Sequence, residues 1–476
     1  MPDSAHSIAP AGLTAPRLVP PLDPGFMSPA LWSRAMTAQC QATPGSRPLT
    51  LALERPDGTV SVYPTHVLPD RQEYAALNLR HIERLVKFLL WQRGGSRVLI
   101  SGAPEIAAAV SAQYRPEGRR AFDAWFMGDK VYGTPLVIES RAAADMPEAR
   151  ENAMPLGRHL DGCRIGFDLG GSDRKCAAVI DGTVVFSEEI PWDPYFQSDP
   201  QYHYDGIMDS LKRAAAHLPR VDAIGGSAAG VYVNNEVRVA SLFRGVSASD
   251  FEQRIRRIFF DLQKAWGGVP FEVVNDGEVT ALAGSMAMNE NRVLGISLGT
   301  SMAAGYVDAA GSIRPWLNEL AFAPADFRED GPIDEWSGDA GCGVQFFSQQ
   351  AGARLAPLAG LSFPPEMKFA ERLIEVQTLM AQGDDRARRL YETVGVCFGH
   401  AIAYYTGFYD VAHILILGRV TSGAGGDLII SKAREVLDLD FPDLAHRLSL
   451  STPDETQKRH GQAVAAASLP PLIPND

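Results

Sequence analysis

Apolar and polar positions alternate along Pro48–Leu68, first in Leu49-Thr50-Leu51-Ala52-Leu53-Glu54 and again in Thr59-Val60-Ser61-Val62-Tyr63. Between the runs lies the turn signal Arg55-Pro56-Asp57-Gly58, so the pattern predicts a β-hairpin. The period then lengthens. Ile82, Leu85, Val86, Leu89 and Leu90 fall at i, i+3, i+4, i+7 and i+8, the stripe of an amphipathic helix that Gly94-Gly95 ends. A short apolar run, Arg97–Ser101, predicts a buried strand, and the Ala-rich stretch Glu105–Tyr114 predicts a helix after it. These elements make an N-terminal α/β domain over 46–160, preceded by an arm over 1–45 and closed by a polar linker over 141–159.

From Cys163 the texture changes to short β-branched runs separated by glycine turns. Arg164–Phe167, Cys176–Ile180 and Thr183–Glu188 predict three antiparallel strands, and a helix is expected near Gly206–Leu218. The same order returns at Arg292–Leu298 and Ala303–Val307, around the turn Gly299-Thr300-Ser301. Two strand, glycine-turn, strand units imply a duplicated structure around a cleft, with one lobe over 161–288 and a second over 289–476.

Length and composition narrow the function. A chain of 476 residues exceeds one ordinary core, and 46% hydrophobic with 21% charged residues is globular composition. No apolar run reaches the ~20 residues of a membrane span, so no membrane partner is expected. A net charge of −13 without a Lys/Arg block argues against nucleic acid as a partner. Five widely spaced cysteines suggest a reducing compartment, and Met1–Pro29 lacks the basic and apolar regions of a secretory leader. A cytoplasmic location follows as the expectation, and a homodimer is left open.

Candidate chemistry sits in the turns. In Gly166-Phe167-Asp168-Leu169-Gly170-Gly171-Ser172, with Lys175 beyond, paired glycines let backbone N–H groups approach an anion and the Ser172 hydroxyl adds a donor. Asp168 at the strand end suits Mg²⁺ held through water. Gly299, Thr300 and Ser301 offer a second phosphate cradle. Gly418, Gly423 and Gly425, between the strand Ile414–Leu417 and a following helix, suit a nucleotide. Each cluster alone reads first as a plain turn, and it is their order along the chain that informs. Between the cradles, Phe271–Asn275 runs into a helix that opens on Asp276, a carboxylate placed to accept a hydroxyl proton in phosphoryl transfer; its blander reading, shared with Asn275, is a helix cap.

In this order the motifs resemble the ROK group of sugar kinases and sugar-responsive repressors, within the superfamily of actin, hexokinase and the heat-shock ATPases. The likeness runs from Asp161 onward: Phe167–Ser172 matches the first phosphate motif, Val274-Asn275-Asp276-Gly277-Glu278 the catalytic Asn-Asp helix, Gly295–Thr300 the second phosphate motif, and Leu417-Gly418 the adenosine motif. The resemblance implies a duplicated, two-lobed actin-like α/β core with an extra N-terminal domain, and a C-terminal helix, His460–Ala467, returning to the first lobe. It implies ATP and Mg²⁺ as cofactors and a sugar or polyol as substrate. Asn275, Asp276 and Glu319 would hold sugar hydroxyls, with Gly230 and Ser241 on the substrate loop, Ser241 standing where the family has Asn. The family's zinc site is reduced to Cys342, with Phe322 in place of a histidine, so no zinc is expected.

Rival readings are weaker in context. Gly295-Ile296-Ser297-Leu298-Gly299 fits the serine-hydrolase turn, but a second strand follows where that motif needs a helix. His400, in an Ala-rich and aromatic helix, reads as a core residue, and Tyr202–Asp205 as a helix start. Kinase activity is the leading expectation. A non-catalytic sugar or sugar-phosphate sensor on the same fold is the alternative.

Overall fold

Strand β1 (Arg47–Glu54) turns on Asp57, whose carboxylate accepts from Thr59 N at 2.9 Å, and returns antiparallel as β2 (Val60–Val67). This is the hairpin that alternation predicts. The computed structural model describes residues 8–151, 156–452 and 455–472. Strand β3 (Arg97–Ser101) pairs antiparallel with β1, and β4 (Val137–Ser140) joins β3 in parallel, giving the order β2-β1-β3-β4. Helices α1 (Pro29–Ala42), α2 (Gln72–Arg93) and α3 (Pro104–Gln113) accompany this sheet.

The first lobe is a five-stranded sheet of β5 (Cys163–Leu169), β6 (Asp173–Ile180), β7 (Thr183–Pro191), β8 (Ala223–Ala228) and β11 (Phe271–Asn275), in the order β11-β8-β5-β6-β7. A small ribbon, β9 (Val231–Val233) with β10 (Glu236–Val239), stands beside it. One face packs on α4 (Pro200–Ala215) and α5 (Ile258–Ala265) through Phe167, Phe259 and Phe271. Helix α4 starts six residues before the sequence boundary because Asp199 caps it, accepting from Gln201 N at 2.9 Å, and Pro200 fills its first turn.

Helix α6 (Asp276–Met288) leads into the second lobe, where β12 (Val293–Leu298), β13 (Met302–Val307), β14 (His413–Leu417) and β15 (Ser449–Ser451) take the order β13-β12-β14-β15. In each lobe a central strand, β5 or β12, has an antiparallel hairpin partner on one side and a parallel strand on the other, so the duplication is real in the topology. Helices α7 (Gln349–Ala359), α8 (Phe369–Ala381), α9 (Asp385–Tyr405) and α10 (Gly423–Asp440) complete this lobe. The last helix, α11 (Glu455–Ala467), crosses back to β5, β8 and α6. Gly166 and Gly225 admit it: a Cβ on either would lie 1.7 Å from the carbonyl oxygen of Ala463 or Ala466.

Two expectations are corrected. The segment expected as an arm contains α1, whose Trp32 and Met36 are buried, and which packs on α9 of the second lobe. The N-terminal sheet shares its main core as well, keeping only the small cluster of Ala52, Val60 and Leu99 to itself. One apolar cluster runs from Leu22 through Leu51, Phe88 and Trp91 to Phe322, Phe398 and Leu450. Helix α2 is the reason: beyond its apolar stripe, Glu83, Arg84, Lys87 and Gln92 are also buried. Periodicity marked only the stripe because the second lobe covers the polar face. Of the expected linker, 152–155 lie outside the described residues, and Arg150 bridges to Val60.

Candidate active site

Parallel pairing brings three strand ends level. Asp168 of β5 sits opposite Ser227 of β8, and Ala228 lies level with both Leu169 and Asn275. Carboxyl ends of parallel strands are where open α/β sheets place their ligand crevice. Asp276 follows immediately, at the first position of α6. Burial, together with the nearby Asp168 carboxylate, pushes the Asp276 carboxyl up to about 6. Asp168 is itself buried and raised for the same reason, opposed by the Ser227 hydroxyl and the Lys175 ammonium. Lys175 Nζ lies 3.7 Å from Asp168 Oδ2 and 3.7 Å from Asp173 Oδ1.

Asn275 does the work its blander reading assigned. Its Oδ1 accepts from Gly277 N at 2.7 Å, capping α6, and its Nδ2 donates to Gly230 O at 2.7 Å. The amide thereby ties the start of α6 to the turn after β8. Gly230 has φ 136°, and a Cβ there would meet Val239 O at 2.5 Å, so the loop needs glycine at this point. Ser241 is exposed and opens the 3₁₀ turn Ser241–Phe243.

Glu319 joins Asp276 electrostatically: burial first, then the Asp276 charge, push its carboxyl up to about 7. Its backbone is held by the N-terminal segment. Trp91 O and Gln92 O, unsatisfied carbonyls in the last turn of α2, accept from Glu319 N at 2.9 Å and Asn318 N at 2.8 Å. Asn318, in the left-handed region at φ 49°, donates through Nδ2 to Glu278 Oε1 and accepts at Oδ1 from Tyr409 Oη at 2.7 Å. Glu278 Oε2 also accepts from Tyr306 N at 3.1 Å, and burial pushes this carboxyl up to about 8. Sequence reasoning missed Asn318 and Tyr409 as supports. No local signal carries them, because they meet only through the docking of α2.

The phosphate turns are formed but partly covered. Gly170 N donates to Asp173 O at 2.9 Å, closing the first turn, while Gly170 O accepts from Trp192 Nε1 at 2.8 Å. A Cβ on Gly171 would lie 2.0 Å from the Tyr195 hydroxyl, which carries the Arg244 guanidinium 4.1 Å above its ring. Ser172 Oγ donates to Asp173 Oδ2 at 2.9 Å. In the second turn Thr300 and Ser301 are exposed. Gly418, at φ 98°, abuts Leu298 O, so the ends of β12 and β14 come together there. Gly423 opens α10 with free space around it. A Cβ on Gly425 would meet the Tyr391 ring at 2.4 Å, so its lack of a side chain lets α10 pack on α9.

No protein-family model matches the chain, and no curated protein does. Solved structures do. A ROK hexokinase from Thermus thermophilus superposes with a TM-score of 0.51 at 19% identity, covering 64% of this chain and 96% of that one. A ROK family transcriptional regulator, a homologue of the E. coli MLC protein, gives 0.50 at 19% identity, covering 65% and 78%. The core has the ROK fold. Since one neighbour is a kinase and the other a regulator, the fold by itself does not choose between turnover and sensing.

Around Cys342 this chain has its own arrangement. The thiol is buried and pushed up to about 12, with Ser337 Oγ at 3.7 Å. Lys87 of α2 reaches into the same place, 3.0 Å from Asp339. Phe322 packs on Trp91 and Trp336, at centroid distances of 4.5 and 5.2 Å.

Proposed function

We propose that this chain transfers a phosphoryl group from ATP to a hydroxyl of a sugar or sugar-like polyol. The observation that carries the reading is Asp276: a partly buried carboxylate at the crevice end of β11, beside Asp168 and Glu319, with a pKa of about 6. Such a group is ionised at neutral pH yet basic enough to take a proton from an alcohol as it attacks. Glu319 and Asn275 frame the alcohol, and Gly230 bounds its pocket. Gly171 and Ser172 from the first lobe and Thr300 and Ser301 from the second supply N–H and hydroxyl donors for phosphates, on turns that Gly170 N and Gly299 N close onto Asp173 O and Ser301 O, with Gly418 and Gly423 at the nucleoside end.

Mg²⁺ fits the residues present. Asp168 is a carboxylate at a strand end, raised by burial, and Asp173 shares the Lys175 ammonium with it, so two carboxylates of the hard-oxygen type that Mg²⁺ takes converge here. These two carboxylates would hold the ion through water, and when bound it neutralises charge on the phosphates. The chain's own contribution is to orient the hydroxyl on Glu319 and Asp276 and to take its proton at Asp276.

A second reading, a sugar sensor without turnover, is favoured by the first turn itself. There the Ser172 hydroxyl is spent on Asp173 and the Tyr195 ring covers Gly171. ADP release from Mg-ATP across hexoses, amino sugars, keto sugars and polyols separates the two. Turnover that depends on the sugar and disappears in Asp276→Asn supports the kinase. Sugar binding without turnover supports the sensor.

A further inference from the structure

A cavity of about 650 Å³ lies beside the candidate active site, between the Arg55–Thr59 turn of the N-terminal hairpin, the β9–β10 ribbon and the segment after β13. Four guanidinium side chains contribute to its wall: Arg55, Arg150, Arg238 and Arg314. In a chain of net charge −13 this concentration is not background.

These cations are short of counter-charge. Glu151 is divided between Arg55, at 3.4 Å, and Arg93, at 3.1 Å. Glu236 is likewise divided between Arg238, at 3.2 Å, and Arg256, at 3.5 Å. Arg314 has Asp308 at 3.0 Å, and Arg150 has no carboxylate partner among the described residues. Arg55 Nη1 and Arg238 Nε have no protein acceptor.

The acids of the same wall do not balance them. Asp57 is committed to its own turn, accepting from both Thr59 N and Thr59 Oγ1. Burial pushes Glu278 up to about 8, so it carries little charge at neutral pH, and burial raises Glu272 as well. Guanidinium held away from water without full pairing is costly, and an entering oxyanion that bonds two forks removes the cost.

We propose that this cavity binds a small polyol bearing an oxyanion, a phosphomonoester or a carboxylate, clamped between the Arg55 turn and the Arg238 ribbon. Its floor includes Asn275 and Glu278, which frame the start of α6, so the ligand sits against the same helix that carries Asp276. The site stands independently of turnover.

The test is calorimetric titration of the full chain with inorganic phosphate, glucose 6-phosphate, gluconate and glucose. A saturating non-hydrolysable ATP analogue is present throughout, and its own binding is recorded in a separate titration. One Arg238-dependent site for the ester or the acid is the expected result, with any glucose isotherm unmoved by Arg238→Gln, and the better of glucose 6-phosphate and gluconate identifies the oxyanion. Arg238→Gln and the exposed Arg150→Gln should each weaken binding roughly tenfold to a hundredfold, the worth of one charged hydrogen bond, while circular dichroism shows the wild-type melt. Ser172→Ala should leave the isotherm unchanged. Absence of anion binding, or equal binding by Arg238→Gln, overturns the proposal. So does loss of binding in Ser172→Ala, which would put the anion in the phosphate turn. Failure of the kinase reading shows elsewhere, as no nucleotide binding or no turnover with the anion isotherm intact.

Discussion

At the scale of single residues, Asp276 makes opposite demands on chemistry and stability. Burial and the Asp168 charge push its carboxyl up to about 6 from the ordinary 3.8, so with Asp276 as the proposed base kcat/KM should fall about tenfold per pH unit below pH 6. A pH profile that stays flat down to pH 5 would remove Asp276 from the base role. The linkage runs the other way for folding. Between pH 3.8 and 6 the folded state holds a proton that the unfolded state has lost, so stability falls as pH rises through that window and stays lower above it. The ionised carboxylate therefore costs on the order of 2–3 kcal/mol at neutral pH. Asp276→Asn should lower turnover by about a hundred- to ten-thousandfold while raising the melting midpoint by a few degrees. Activity assays and melts on the same preparation check both halves, and a mutant that loses activity by losing stability contradicts this account.

Among the elements, the closing helix α11 shows how glycine is read. Gly166 and Gly225 drew no attention as packing residues in the sequence, where Gly166 stood only as the start of a phosphate motif. Their role depends on a strand meeting a helix from the far end of the chain. Gly166→Ala or Gly225→Ala must displace the α11 backbone, and each should destabilise by about 2–4 kcal/mol. Gly352→Ala in α7 is the contrast: its Cβ would meet nothing within 4 Å, and the loss of unfolded-state freedom should stabilise by about 0.5–1 kcal/mol. Thermal melts of the three variants decide the matter, with equal shifts counting against it. The same logic explains what was legible. The strands at β3, β5, β12 and β14 and the helix at Asp276 follow from local pattern and the glycine turns, so the core could be read. The burial of α2 and the packing role of Gly425 depend on distant partners, Asp339 and Tyr391, and no local period reports them.

For the whole molecule, the question is what the N-terminal segment contributes to the two-lobed core. The buried charges give the answer. Arg84, Lys87 and Arg120 meet Glu83, Asp123 and Asp339 with side chains 5% exposed or less, and Asp339 alone comes from the second lobe. Burial disfavours charge on Arg84, Lys87 and Asp339, but their partners outweigh it, raising Arg84 and Lys87 and holding Asp339 at about 2, whereas on Asp123 burial wins and the carboxyl is raised. Removing Asp339 leaves three buried cations facing two anions. Asp339→Asn should therefore cost about 3–5 kcal/mol, the penalty for breaking a buried pair from one side. Deletion of residues 1–160 goes further. It strips α1 and α2 from the shared apolar cluster, uncovering Phe322 and Phe327, which pack on Trp91 and Trp32, and strands Asp339 without its cations. It also takes away the Trp91 and Gln92 carbonyls that hold Asn318 and Glu319. A chain beginning at Asp161 should be recovered aggregated, and co-expression with residues 1–160 should restore a soluble complex, read by size-exclusion chromatography. A monodisperse, cooperatively melting 161–476 fragment would show instead that the core folds alone and that the N-terminal segment is an addition to it.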